Sequence, residues 1–147
     1  MFKFKNAFFI IIFQTFFTVK SFSQTLCFYN DNNKTKIIKL KLVLPISDSS
    51  IAKLLYEKGS TELSLTRMKT EVLPPVNAVP ATVRTNFSEI INGKKTGIYQ
   101  LTTQGAMVGE LTYKNLAKKT KFYFFEDKDS HPSNSCNWEK FEPEVAK

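Results

Sequence analysis

One histidine, a few carboxylates and two cysteines are the residues of this chain whose types suit acid–base, nucleophilic or metal chemistry. His131 lies in DSHPSNSC, close in sequence to Asp129, Ser130 and Ser133. The members of a hydrolytic triad meet in space from distant parts of a fold, and the G-x-S-x-G elbow that presents such a serine is missing, so this stretch reads as a surface loop. Glu89, Glu110, Glu126 and Asp127 are the carboxylates from which a glycosidase-like pair would be drawn, one acting as acid and the other as base or nucleophile across a cleft. Nothing in the sequence pairs them, and they read first as the wet faces of strands. Glu126-Asp127-Lys128-Asp129 lacks the alternating oxygen ligands of a calcium loop, and two cysteines with one histidine fall short of a zinc set. The five glycines form no phosphate cradle. The expectation is a protein without catalytic residues, cofactor or metal ligands, with a secreted hydrolase using a carboxylate pair as the alternative.

Cys27 and Cys136 lack the C-x-x-C spacing of a redox pair. Their compartment follows from the N-terminus, which reads MFKFKN, then AFFIIIFQTFFTV, then KSFSQ. Lys3 and Lys5 give a basic start, residues 7–19 an apolar run, and Ser21 and Ser23 small side chains before a cut between Ser23 and Gln24. Basic, apolar, small-x-small is the order of a secretory signal peptide, and the run is shorter than the roughly 20 residues of a spanning helix. The reading is a cleaved leader over 1–23 and one β-rich exported domain over 24–147, periplasmic or secreted, with no transmembrane segment after cleavage and a fraying tail over 139–147. An oxidising compartment then favours a Cys27–Cys136 disulfide. Lipidation of Cys27 is a further alternative, which the bulky Leu26 before it fits poorly.

The elements that position these residues are mostly strands. Residues 24–35 begin apolar and end in an Asn/Asp cluster that reads as a loop. In KIIKLKLVLP, Ile38, Leu40, Leu42 and Leu44 alternate with lysines and Val43, the period of a half-buried strand. Residues 50–58 fit a short helix capped by Asp48, Ser49 or Ser50, and fit a strand equally well. STELSLTRMK reads as a strand, and PPVNAVP at 74–80 as a rigid extended connector within the domain. From residue 81 the pattern is a run of strands around the Asn92-Gly93 hairpin signal, the Gly105-Ala106 turn and Leu116-Ala117-Lys118-Lys119. The predicted fold is mainly β: an antiparallel β-sandwich or partly open barrel of meander topology, with at most one short helix at about 50–58.

Charge narrows the partners. Loss of Lys3, Lys5 and Lys20 with the leader takes the formal charge from +8 to +5. Arg67 and Arg84 are the only arginines, which argues against nucleic acid, where the planar guanidinium does most of the recognition. The lysines read as solvated strand faces, as at Lys36, Lys39 and Lys41, and the surplus favours an anionic surface such as lipid headgroups or acidic glycans. Tyr99, Tyr113, Tyr123 and Trp138 are the candidate aromatic binding face, with core packing as the competing role and Trp138 packed over the bridge. The sequence therefore points to an exported, non-catalytic binding module whose partner is a protein, a glycan or an anionic envelope surface.

Overall fold

The computed structural model describes residues 23–30, 37–45, 50–128 and 136–138. Alternation of side chains along each strand organises it. In β2 (Ile38–Pro45), Leu40 and Leu42 are fully buried while Lys39 and Lys41 are half-buried on the other face. The same rule sets β3 (Ile51–Tyr56), where Ala52 and Leu54 point in and Ile51 and Lys53 point out. The stretch that fitted helix or strand equally is thus the strand β3. It is held by pairing with both neighbours, Leu42↔Leu54 on one side and Leu54↔Leu63 on the other. A helix over 50–58 would have left that ladder unmade.

Eight strands follow one another as an antiparallel meander: β1 (Ser23–Asn30), β2, β3, β4 (Leu63–Leu73), β5 (Thr82–Ile91), β6 (Lys94–Gln104), β7 (Met107–Asn115) and β8 (Lys121–Glu126). The sheet closes on itself where β8 pairs with β1, through Phe28↔Glu126 and Tyr29↔Phe125. The mainly β, antiparallel meander expected from the sequence is what forms, and of the architectures left open it is a barrel, fully closed. The first strand comes from a segment that sequence reads only as an apolar start to a loop. Its outward Cys27 interrupts the alternation by being 1% exposed.

The interior is filled. Phe28, Leu40, Leu42, Leu54, Leu65, Phe87, Tyr99, Leu111 and Phe124 are each no more than 2% exposed. An eight-stranded barrel has an interior just wide enough for such side chains. Outward positions carry Lys39, Lys41, Lys53, Arg84, Asn86, Gln100 and Lys114. Apolar inside and polar outside is the reverse of the pattern of a membrane-spanning barrel. Among the described residues no helix is long and apolar enough to cross a membrane.

The Cys27–Cys136 disulfide is formed, across a sequence separation of 109 residues. It pins residues 136–138 against the outer side of β1 and β2, where Lys39 Nζ donates to the Trp138 carbonyl and pairs with Glu57 at 3.4 Å. The bridge buries Cys27 and uses the sulfur that a lipid thioether would need, so anchoring through Cys27 conflicts with it. Residues 1–22, with Ser21 of the expected cleavage site, and the tail 139–147 lie outside the described residues. So do Asp129, Ser130, His131 and Ser133.

The proline-rich stretch is the tip of the β4–β5 hairpin and not a plain connector. Val76 and Val79 bridge, and the Val79 N–H donates to the Val76 carbonyl at 3.0 Å. Asn77 and Ala78, at φ 51° and 64°, lie in the left-handed region on both central positions. Asn92-Gly93 does the same at φ 51° and 72° with a glycine in the second place. Alanine there costs about 1 kcal/mol that glycine does not. Ala78→Gly should therefore raise stability by about 1 kcal/mol and the thermal midpoint by a few degrees, read by calorimetry. A lower midpoint would mean that the turn is not left-handed at Ala78.

Candidate functional site

Two clusters of polar side chains stand out, one inside the barrel and one outside. The inner one begins with Glu89, 6% exposed, near the end of β5. A bulge between Glu89 and Ile90 takes Thr96 out of register with β5. Its hydroxyl turns to the carboxylate and donates to Oε2 at 2.7 Å. Bulges commonly re-aim a side chain in this way. Tyr113 donates to the same oxygen at 2.9 Å. The Tyr113 ring lies 4.5 Å from that of Tyr99, whose hydroxyl shares a 2.7 Å hydrogen bond with Tyr56. Gly97 makes this possible, since a Cβ there would stand 2.2 Å from Tyr113 Cε2.

Burial raises the phenol pKa of all three tyrosines, because the phenolate would lose its water. For Tyr113 the hydrogen bond to Glu89 adds to this, and for Tyr99 the neighbouring Tyr56 does. The cluster is thus three protonated phenols around one carboxylate, and it fixes the polar end of the core. Below pH 10 these phenols are neutral whether the chain is folded or not, and their full contribution to stability is present. Above pH 10 the unfolded chain ionises and the folded one does not, so stability falls as pH rises. Tyr99, whose phenol stays protonated well beyond pH 10, should remove about 1 kcal/mol per pH unit above it, with Tyr56 and Tyr113 acting in the same direction. Urea midpoints between pH 8.5 and 11 test this, and a flat profile would contradict it.

The carboxylates do not come together. Glu89 pairs with Gly97, and Gly97 with Asn115. Glu110 is five residues further along β7, about 17 Å at strand spacing, whereas paired glycosidase carboxylates stand within about 10 Å. Glu110 and Phe125 are directly opposite, so Glu126 presents the other face, and Asp127 follows at that same end, its N–H bonded to the Cys27 carbonyl at 2.8 Å.

The aromatic residues do not form one face either. Tyr99 and Tyr113 meet inside the barrel as a tilted pair, Tyr123 is outward and 39% exposed on β8, and Trp138 sits two residues beyond the bridge with Nε1 buried. Of the four, Tyr123 belongs to the outer cluster.

That cluster is built by register. Asn86, Gln100, Thr112 and Tyr123 pair in sequence across β5, β6, β7 and β8, forming one outward rung. The next rung is Ser88, Ile98, Lys114 and Lys121. Gln100 Nε2 donates to Asn86 Oδ1 at 3.0 Å, which fixes the amides side by side. Between the rungs runs a groove of about 440 Å³, lined by Met68, Asn86, Ile98, Gln100, Thr112, Lys114, Lys119 and Lys121. Lys119, at φ 56°, closes one end from the β7–β8 turn. Lys121 Nζ lies 4.6 Å from the centre of the Tyr123 ring.

Lys114 and Lys121 are directly opposite each other on adjacent strands, an arrangement that repels. Among the described residues none of the three lysines has an acidic partner. Sequence alternation places Lys114 and Lys121 outward, but the bulge between Thr102 and Thr103, which leaves Gly109 of β7 unpaired, sets which residues of β6 and β7 face each other. The face defined here is a polar, cationic groove on a small closed meander barrel. Compared with protein-family models, curated proteins and solved structures, the chain finds no match.

Proposed function

We propose that the protein is an exported, non-catalytic binding module whose outer β5–β8 face holds an acidic saccharide. The observation that carries this reading is the Lys114↔Lys121 opposition beside Lys119, three lysines on one groove with no ion-pair partner among the described residues. Local conflicts of this kind are expected where function overrides stability. The rest of the face suits a sugar. Asn86, Gln100 and Thr112 offer donors and acceptors to hydroxyls, and Tyr123, 39% exposed, offers a ring on which a pyranose stacks. Carboxylates or sulfates on the same chain would meet the lysines. The interior supports an external site, since Phe28, Phe87, Tyr99 and Phe124 pack it.

Export is part of the proposal. The disulfide is compatible with an oxidising compartment, and β1 begins at Ser23, so a cut before Gln24 would leave nearly the whole strand in the mature chain. The periplasm and the cell exterior both meet this condition.

Isothermal titration with a galacturonic acid oligomer, against a neutral galactose oligomer of equal length, tests the reading. The acidic oligomer should bind with a dissociation constant that rises with salt, and the neutral one should bind at least about tenfold more weakly. K114Q/K119Q/K121Q should bring the acidic oligomer down to the neutral level. Equal binding of both oligomers, or a triple variant that binds as before, would refute it.

A further inference from the structure

The strands that form the barrel are not equally long, and the surplus leaves a backbone edge open. β3 pairs with β4 only as far as Ile51↔Thr66, with a last backbone bond from the Arg67 N–H to the Ser50 carbonyl. β4 continues to Leu73, paired on its other side with β5 through Lys69↔Asn86, Thr70↔Thr85, Glu71↔Arg84 and Val72↔Val83. Every residue from Thr66 to Val72 is exposed. Among the described residues no strand pairs with the other edge of this stretch, so a row of N–H and C=O groups faces outward. Exposed edges of this kind are templates for strand addition unless they are blunted.

We propose that this edge pairs with the same edge of a second copy of the chain, antiparallel and centred on Thr70. The sequence around the edge is self-complementary in that register. A two-fold axis at Thr70 places Lys69 of each copy directly opposite Glu71 of the other, twice over, and both residues lie on the outward face of the strand. Neither has an ion-pair partner within its own chain among the described residues. Val72, 62% exposed, flanks the axis on the opposite face and would be covered by the partner. An unrelated strand has no reason to carry the Glu/Lys order that this register requires, whereas a second copy carries it by symmetry. The β4–β5 bulge between Arg67 and Lys69 lies where β4 runs on beyond β3, and bulges bend the strand that carries them.

Sedimentation velocity on the protein isolated with its disulfide intact, from micromolar to roughly millimolar concentration, tests the pairing. The wild type should pass from monomer to dimer over that range. K69E and E71K each place like charges opposite one another twice, and each should weaken the dimer by roughly tenfold or more. K69E/E71K restores both pairs with the signs exchanged and should return the affinity to within about threefold of wild type. A protein that stays monomeric throughout, single reversals that leave association unchanged, or a double variant no tighter than the singles would overturn the proposal.

Discussion

Breaking the Cys27–Cys136 bridge, by reductant or as C27A/C136A, is expected to cost about 4–5 kcal/mol of folding stability. The bond ties positions 109 residues apart, so the unfolded chain without it gains a large loop's worth of freedom. Two features of the barrel increase its weight. The β1–β8 seam that closes the sheet is short: among the described residues Phe28↔Glu126 and Tyr29↔Phe125 pair, the Asp127 N–H donates to the Cys27 carbonyl and Asn30 Nδ2 donates to the Tyr123 carbonyl. The bridge holds residues 136–138 across the outside of β1, just beyond the strand that forms the other side of this seam. Against a total stability of about 5–15 kcal/mol, the loss would leave a marginal barrel that opens first between β1 and β8. Urea unfolding of oxidised and reduced protein gives the difference directly, and amide exchange along β1 and β8 locates the opening. A reduced protein as stable as the oxidised one would show that the strands alone hold the seam.

Gly97→Ala should be nearly as damaging, although it adds a single methyl group. That methyl would stand 2.2 Å from Tyr113 Cε2, 2.7 Å from its hydroxyl and 2.8 Å from Glu89 Oε2. The ring must move, and with it goes one of the two hydroxyl donors to a carboxylate that is 6% exposed. Overpacking and the partly unsatisfied carboxylate together amount to about 3–5 kcal/mol. The mechanism has a signature beyond size. In a Tyr113→Leu background the two closest contacts are gone and only that with Glu89 Oε2 remains, so the same glycine change should cost at least about 1 kcal/mol less, a coupling that a double-mutant cycle reads. Equal costs in both backgrounds would place the damage elsewhere than at Tyr113.

Sequence discloses this fold unevenly, for reasons that lie in particular residues. Strong alternation marks β2 and β5–β8, and Asn92-Gly93 marks the hairpin between β5 and β6, because left-handed turn positions favour those residue types. β3 is ambiguous because Ile51, Leu54 and Leu55 fit the helical period while Ala52, Leu54 and Tyr56 fit that of a strand, and only pairing with two neighbours decides between them. β1 was hidden because Leu26, Cys27 and Phe28 are buried in succession, one of them beneath a disulfide-held segment that belongs to the far end of the chain. Closure into a barrel rests on a seam whose two strands are separated by almost the whole described chain. The Asn77-Ala78 turn was obscured by an alanine in a place that glycine would announce.

The candidate site was less visible still. Tyr99 and Tyr113 have the residue type of a binding surface but the parity of the barrel interior, and Tyr113 must point inward to reach Glu89. Lys114 and Lys121 are individually unremarkable surface lysines. Their meaning comes from standing opposite one another, with Asn86, Gln100 and Thr112 on the adjoining rung, and that is a property of register across four strands.

Chemical-shift mapping of a galacturonic acid oligomer onto the ¹⁵N-labelled, oxidised protein is the most direct test of where and what this barrel binds. Shifts should be confined to the outer β5–β8 face, largest at Gln100, Thr112, Lys114 and Lys121, with the side-chain amides of Asn86 and Gln100 moving together and the buried cluster at Tyr56 and Tyr99 unmoved. Shifts centred on any other face of the barrel, or none at saturating oligomer, would contradict this assignment.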